Sequence, residues 1–182
     1  EVGKYSGIGA TKCTQCETGK TTYPNTGSSS SADCVPYTTS TLVLAYNAAL
    51  SGDIINIYAA SVYIAGVSLP YDMTSPWDDN SSIRFSNVKG VTINCVDAEH
   101  GSGDIRCKFD GNSVARRVLD FRGLPSGETL KLIGLWICKG ISPDDGGGIL
   151  FYINFGEIYV TNCLFDSNTA INTGGAVLIY SS

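Results

Sequence analysis

The side chains able to do chemistry in this chain are few and scattered. Its single histidine, His100, lies between Glu99 and Gly101, with Asp97 and Asp104 close in sequence. A histidine among carboxylates is the pattern of a general base or a metal ligand. A lone histidine in a polar loop is more commonly solvated, and that is the expectation here. Asp144-Asp145, Asp110-Gly111-Asn112 and Asp166-x-Asn168 are oxygen-rich runs. Calcium wants six or more oxygens at one point, and none of these runs has EF-hand or nonapeptide calcium spacing. They read as solvated turn acids. No G-x-S-x-G elbow is present to hold a nucleophilic serine. Gly19-Lys20-Thr21 ends like a phosphate loop, but the glycine required five residues earlier is Thr14, which rejects the match. Arg84, Arg106, Arg116, Arg117 and Arg122 show no spacing that gathers them in one cleft. The expectation is no catalytic residue, no metal site and no cofactor.

The cysteines say more. There are seven, an odd number, so at least one has no partner in the chain. Charged residues are 16% of the total against a usual quarter, and the net charge is −5. Cysteine density with so little charge favours an oxidising, extracellular setting. Phosphate binding needs clustered Lys and Arg, and the longest basic run is Arg116-Arg117, so nucleic acid is not an expected partner. No apolar run is long enough to cross a bilayer as a helix, so no membrane span is expected in this segment.

The elements that must position these groups show a repeat. Shifted so that Leu130 lies over Ile158, LKLIGLWICKGISPDDGGGILFYIN matches IYVTNCLFDSNTAINTGGAVLIYSS without a gap. Gly146-Gly147 falls on Gly174-Gly175, and Ile149 to Tyr152 fall on Val177 to Tyr180. A period of this length marks a solenoid whose units bury their apolar faces only by stacking. The predicted fold is all-β, a right-handed parallel β-helix over residues 38–182. Aligned outward positions are Lys131 with Tyr159, Lys139 with Ser167 and Asp144 with Asn172, so no charge repeats or pairs across the units. Ile133 over Thr161 breaks any outward threonine ladder. Cys138 and Cys163 fall three positions out of register on neighbouring units, too far for a disulfide, and are predicted free.

Upstream, Ser40 or Thr41 is expected to cap a short helix, TLVLAYNAAL, which ends at Ser51-Gly52. Leu42, Ala45, Ala49 and Leu50 make its apolar stripe, and its role is to cover the first exposed unit. Ile54 to Ile57 alternate as a strand, and Ile83, Phe85, Val91, Ile93 and Cys95 are inward candidates. Val118 and one of Leu119 and Phe121 are expected to face inward. Residues 66–82 form a polar excursion that carries the sequon Asn80-Ser81-Ser82, a candidate glycosylation site. Cys95 and Cys107 flank a short polar loop that closes easily, and their disulfide is predicted.

Residues 1–37 have almost no aliphatic core formers and are expected to form a separate Cys-rich module. Its CxxC, Cys13 and Cys16, admits zinc, redox or disulfide chemistry. Zinc lacks a second ligand pair and redox lacks a βαβ context, so a disulfide-stapled loop is the expectation. The chain opens at Glu1 with no signal-like segment and stops at Ser182 inside a strand pattern, so it is expected to be part of a longer secreted chain.

Three resemblances sharpen this reading. G-x-Y-x(7)-C-x-x-C-x-x-G, followed by Ser and Gly and then Cys34, resembles the ephrin-receptor-like Cys-rich repeat, departing from it at Val35-Pro36-Tyr37. That resemblance implies a Cys16–Cys34 bond and a partner upstream of Glu1 for Cys13. The order helix, Ser-Gly-Asp, strand is similar to the N-terminal cap of pectin-lyase-like β-helix proteins, and VTINC, polar loop, CKFDG resembles their cell-surface members. Cys163-x-Phe165-x-x-Asn168 with Gly174-Gly175-Ala176 resembles the polymorphic-outer-membrane-protein-type repeat. It implies a stacked Phe165, a bend-bonding Asn168 and a turn dihedral supplied by Gly175. Together these imply a non-catalytic structural or adhesive module of a cell surface, wall or filament. Its partners would be copies of itself, other extracellular structural proteins, and glycans. The alternative is a polysaccharide lyase or hydrolase, or a carbohydrate-binding β-helix, which needs carboxylates or Arg/Lys clustered on one face.

Overall fold

The computed structural model describes residues 4–5, 14–15, 20–21, 35–36, 39–58, 62–64, 83–86, 88–96, 106–113, 117–153 and 156–181. The expectations for Cys13, Cys16, Cys34, Asn80 and His100 lie outside these residues. So does the 66–82 excursion.

Two short antiparallel pairs come first: β1 (Lys4–Tyr5) with β2 (Thr14–Gln15), and β3 (Lys20–Thr21) with β4 (Val35–Pro36). Then α1 spans Thr39–Ala48. Every described ladder after it is parallel. β5 (Ile54–Tyr58), β6 (Val62–Ile64) and β7 (Ile83–Ser86) each found a different sheet. β8 (Thr92–Val96), β9 (Cys107–Asp110) and β10 (Leu119–Leu124) pair with them in the same order. The next round adds β11 (Thr129–Ile133), β12 (Leu135–Cys138), a short β13 (Ile141–Ser142) and β14 (Ile149–Ile153). The last adds β15 (Glu157–Thr161), β16 (Leu164–Asp166), β17 (Thr169–Ala170) and β18 (Val177–Ser181). The result is three four-stranded parallel sheets, each taking one strand per circuit of the chain, and none of them closes on itself.

The reason lies in side-chain alternation. Ile83 and Phe85, Leu130 and Leu132, and Leu135 and Ile137 are fully buried at alternate positions, as the period of two requires. Because ladders are in register, like sits on like. Phe85, Phe121 and Phe151 are register partners. Their rings stack at 4.6 and 5.4 Å with interplanar angles of 9° and 18°. Tyr46 of α1 closes the column, its ring 4.6 Å from Phe85. The Tyr46 hydroxyl donates to Lys89 O and accepts from Lys89 N, both at 3.3 Å. Burial pushes this phenol well above its ordinary pKa, so it remains a neutral donor.

Corners recur as strands do. Gly134 and Asn162, Lys139 and Ser167, and Gly146 and Gly174 are pairs with the same offset as Leu130 and Ile158, and all six have positive φ. The left-handed bend is thus fixed by position in the circuit, with glycine used at only some of the positions.

The structure corrects four expectations. The helix begins at Thr39, so Ser40 and Thr41 lie inside it rather than at its cap. Leu50 is 71% exposed, because the helix stops at Ala48 and helical spacing no longer applies. Leu119 and Phe121 are both buried with Val118. They lie two apart on one face of β10, while Val118 sits at the preceding corner with its N–H directed at Gly147 O and Gly148 O. The glycine that supplies the turn dihedral is Gly174, at φ 66°, and not Gly175. The bond between Cys95 of β8 and Cys107 of β9 joins two sheets within one circuit.

If the aromatic column carries the stack, Phe121→Ala should cost about 3–5 kcal/mol in chemical denaturation. Tyr152→Ala, at a half-exposed position on the opposite face of the same sheet, should cost under about 1 kcal/mol.

Candidate functional site

Side chains that point away from the core form polar clusters on the outer faces. On the sheet of β7, β10, β14 and β18, Asp120 is fully buried between Leu119 and Phe121. Arg84, its register partner on β7, bonds it through Nε at 3.1 Å. Arg122, two residues on along β10, bonds both carboxylate oxygens through Nε and places a terminal nitrogen 2.9 Å from Oδ2. Arg117 lies 4.0 Å away. Three of the five arginines therefore gather at one carboxylate, which the sequence spacing did not foretell. The offset between Arg84 and Asp120 differs from that between Leu130 and Ile158, and that irregularity conceals the pairing. Removal of the central carboxylate would leave guanidinium groups facing one another, with Arg117 nearly buried and Arg84 and Arg122 partly open to solvent.

On the sheet of β6, β9, β12 and β16, Asp110 accepts from Lys108 at 2.9 Å and from Lys139 at 3.4 Å. It also accepts from Asn112 N at 2.7 Å. Lys108 in turn lies 5.0 Å from the Trp136 ring centre. Burial pushes the Asp110 carboxyl up, but Lys108, the Asn112 N–H and Lys139 outweigh it and hold it below the usual carboxylate range. Cys138 is buried beside Asp110, its register partner. Burial and that carboxylate push its thiol up. Cys163 is free and partly buried, and burial pushes its thiol up despite the Leu135 N–H that points at its sulfur. Both are therefore thiols rather than thiolates at neutral pH, which makes them poor nucleophiles.

Asp145, a solvent-accessible turn acid, anchors the third cluster. Its carboxylate accepts from Thr173 Oγ1 at 2.6 Å, Thr173 N at 3.0 Å and the Tyr180 hydroxyl at 2.7 Å. The Thr173 and Tyr180 bonds hold its carboxyl below the usual range. Asp144 follows the aligned pattern, its carbonyl accepting from Asn172 N at 2.9 Å.

The sheet of β5, β8, β11 and β15 carries a shallow depression of about 480 Å³, lined by Thr129, Lys131, Ile133, Glu157, Tyr159 and Thr161. Lys131 and Tyr159 are register partners, as aligned from sequence, with the ammonium 5.9 Å from the ring centre. The Tyr159 hydroxyl donates to Glu157 at 3.3 Å. The same alignment sets Thr129 beside Glu157 and Ile133 beside Thr161, and the period of two along each strand puts all six on one face. A ring face, a cation and hydroxyls suit a polyhydroxylated or carboxylated ligand. Among the described residues no three His, Cys, Asp or Glu side chains converge on a point where a metal would sit. Among the same residues no helix is long and apolar enough to cross a membrane.

No protein-family profile matches the chain, and no curated protein or solved structure is significantly similar to it.

Two outcomes follow from these clusters. Asp120→Asn should cost about 1–3 kcal/mol in denaturant titration, less than for a fully buried ion pair because Arg84 and Arg122 reach solvent. The Asp110 carboxyl is lowered on folding, so its contribution is present at neutral pH. That contribution disappears as pH falls below the ordinary value of 3.8 through the lower folded value. Melting curves between pH 6 and 2 should show a shallower acid decline in Asp110→Asn than in the parent; parallel curves would remove Asp110 from the account.

Proposed function

We propose that residues 38–182 wind as a right-handed parallel β-helix of the pectin-lyase-like kind, with polymorphic-outer-membrane-protein-type repeats. In this reading residues 1–37 are an ephrin-receptor-like Cys-rich module. The chain serves as a non-catalytic structural or adhesive part of an extracellular surface, wall or filament. The carrying observation is the in-register recurrence of rows and corners: Thr129 to Ile133 pair residue by residue with Glu157 to Thr161, and Ile149 to Ile153 with Val177 to Ser181. Strands spaced about 4.8 Å apart and tied by parallel ladders make a stiff rod whose long sides are available for lateral contact.

The outer polar groups support the same reading. Asp145 with Thr173, and Asp120 with Arg84, tie one circuit to the next. Charges spent on internal ties stiffen the rod. The Cys95–Cys107 bond suits an oxidising compartment. Partners in this reading are further copies or other structural proteins, with glycans along the faces.

A specific observation favours a second reading, a carbohydrate-binding or carbohydrate-cleaving β-helix. It is the depression in which Tyr159 and Lys131 lie side by side between Thr129 and Thr161.

Fractionation and assay separate the two. The structural reading expects the protein in the matrix or wall fraction of its source, and expects the soluble chain to leave uronic-acid polymers intact. Release of unsaturated or reducing sugar ends above the blank, lost in Lys131→Ala or Tyr159→Phe, would transfer the assignment to the enzyme.

A further inference from the structure

On the outer face of the sheet of β7, β10, β14 and β18, one row of register partners runs Ser86, Arg122, Tyr152, Tyr180. The last two are phenols on neighbouring strands. Their ring centres lie 6.0 Å apart at an interplanar angle of 52°. Tyr152 is 49% exposed and Tyr180 43%. Tyr152 has a paired strand on each side, so its openness comes from pointing outward and not from an unpaired edge. Among the described side chains these are the only two tyrosines in ring contact. Tyr46 is buried in the aromatic column, and Tyr159 stands against Lys131.

A second observation makes the pair more than surface packing. The Tyr180 hydroxyl donates to Asp145 Oδ2 at 2.7 Å. That bond raises the phenol above its ordinary pKa, and the bonds from Thr173 and Tyr180 lower the carboxyl. At neutral pH the arrangement is therefore a protonated phenol hydrogen-bonded to an ionised carboxylate. A phenol gives up an electron far more readily when its proton can leave at the same time, and a bonded carboxylate is an acceptor in place for that proton. The thiols that would compete for an oxidant stand on another sheet. Cys138 is buried on β12, and Cys163, partly buried, precedes β16.

We propose that Tyr152 and Tyr180 form an oxidative modification site, at which a haem peroxidase and hydrogen peroxide join them ring to ring as a dityrosine, with Asp145 taking the Tyr180 proton. Each phenol loses one electron and one proton, which leaves two phenoxyl radicals with spin on the ring carbons ortho to oxygen. An ortho carbon of each ring contributes to the new C–C bond. The hydrogen on each bonded carbon then moves to the oxygen of its own ring, which restores both phenols. The two electrons and two protons reduce one hydrogen peroxide to two waters.

Register makes the pair specific. The parallel ladder holds Tyr152 and Tyr180 as fixed neighbours, so two radicals on one body meet without a diffusional encounter. Bond formation draws the rings together. Half-exposed side chains follow by rotation about χ1 and χ2 while the ladder keeps their backbones in place. The tilt between the rings suits a biaryl, whose adjacent hydroxyls keep it out of one plane. The product would tie one circuit to the next across the outer face, where Cys95–Cys107 ties two sheets within a circuit. The proposal rests on the pairing of β14 with β18 and holds for either of the two roles above.

The test treats the full chain, dilute and folded, with a haem peroxidase and hydrogen peroxide, and follows dityrosine fluorescence. Cleavage after Glu157 separates the two tyrosines, so the product is a linked peptide pair two hydrogens lighter than its parts. Fragmentation in the mass spectrometer tells Tyr180 from Tyr159. The Tyr152–Tyr180 link should form within the monomer, exceed any other tyrosine pair about tenfold or more, and raise Tm by roughly 4 °C or more. Tyr152→Phe and Tyr180→Phe each keep a ring at the surface. Each should abolish the link while leaving the Tm of the untreated protein within about 2 °C. Asp145→Asn keeps an acceptor for the hydroxyl but removes the base. It should slow linking about tenfold or more with Tyr152 still the partner of Tyr180. Links spread over other tyrosines, links only between molecules, or a link that survives Tyr152→Phe would overturn the proposal. An unchanged rate in Asp145→Asn, or a change of partner there, would overturn the role given to Asp145.

Discussion

Burial in this chain is a relation between circuits. Phe121 is covered by Phe85 on one side and Phe151 on the other, and neither is a sequence neighbour. The inward side chains of one strand are covered by their register partners on the strands paired to it on either side, and one strand from each sheet could not bury them alone. The rest of the structure answers to that constraint. Strands must be parallel for rows to match, corners must bend at the same position each time, and the first row needs a lid. Tyr46 and its helix supply the lid, and the left-handed residues at 134/162, 139/167 and 146/174 supply the corners.

Polar chemistry follows the same geometry. A residue that points outward has its counterpart from the next circuit as its nearest companion on the face. Asp145 therefore finds Thr173, Lys131 finds Tyr159, and Arg84 finds Asp120. These contacts hold rungs together before they present anything to a ligand. Asp120 shows the effect most strongly, since it is a carboxylate held fully buried among guanidinium groups on the outside of a sheet.

Legibility in the sequence depends on whether the spacing between circuits is constant. From Thr129 onward every ladder takes the same step along the chain, and the alignment of Lys131 with Tyr159 or Ile149 with Val177 is visible by eye. Earlier, Thr92 pairs with Ile54 on one side and Lys131 on the other, and Asp120 pairs with Arg84 and Leu150, all at unequal steps. Polar insertions of different length separate those strands, so no single shift reveals the arginine cluster. The free thiols Cys138 and Cys163 were legible because they lie in the regular part, and Cys95 with Cys107 because they flank one loop. The same reading put the turn dihedral one glycine too late, since two adjacent glycines are alike in sequence and only the backbone path shows that Gly174 takes the positive φ.

The most direct measurement is the set of cross-strand proton contacts in an isotope-labelled sample. The account expects parallel-ladder contacts between Lys131 and Tyr159, Trp136 and Leu164, and Phe151 and Ile179, one pair from each of the three sheets. Antiparallel contacts between strands consecutive in sequence, such as Ile149–Ile153 with Glu157–Thr161, would contradict it at the root.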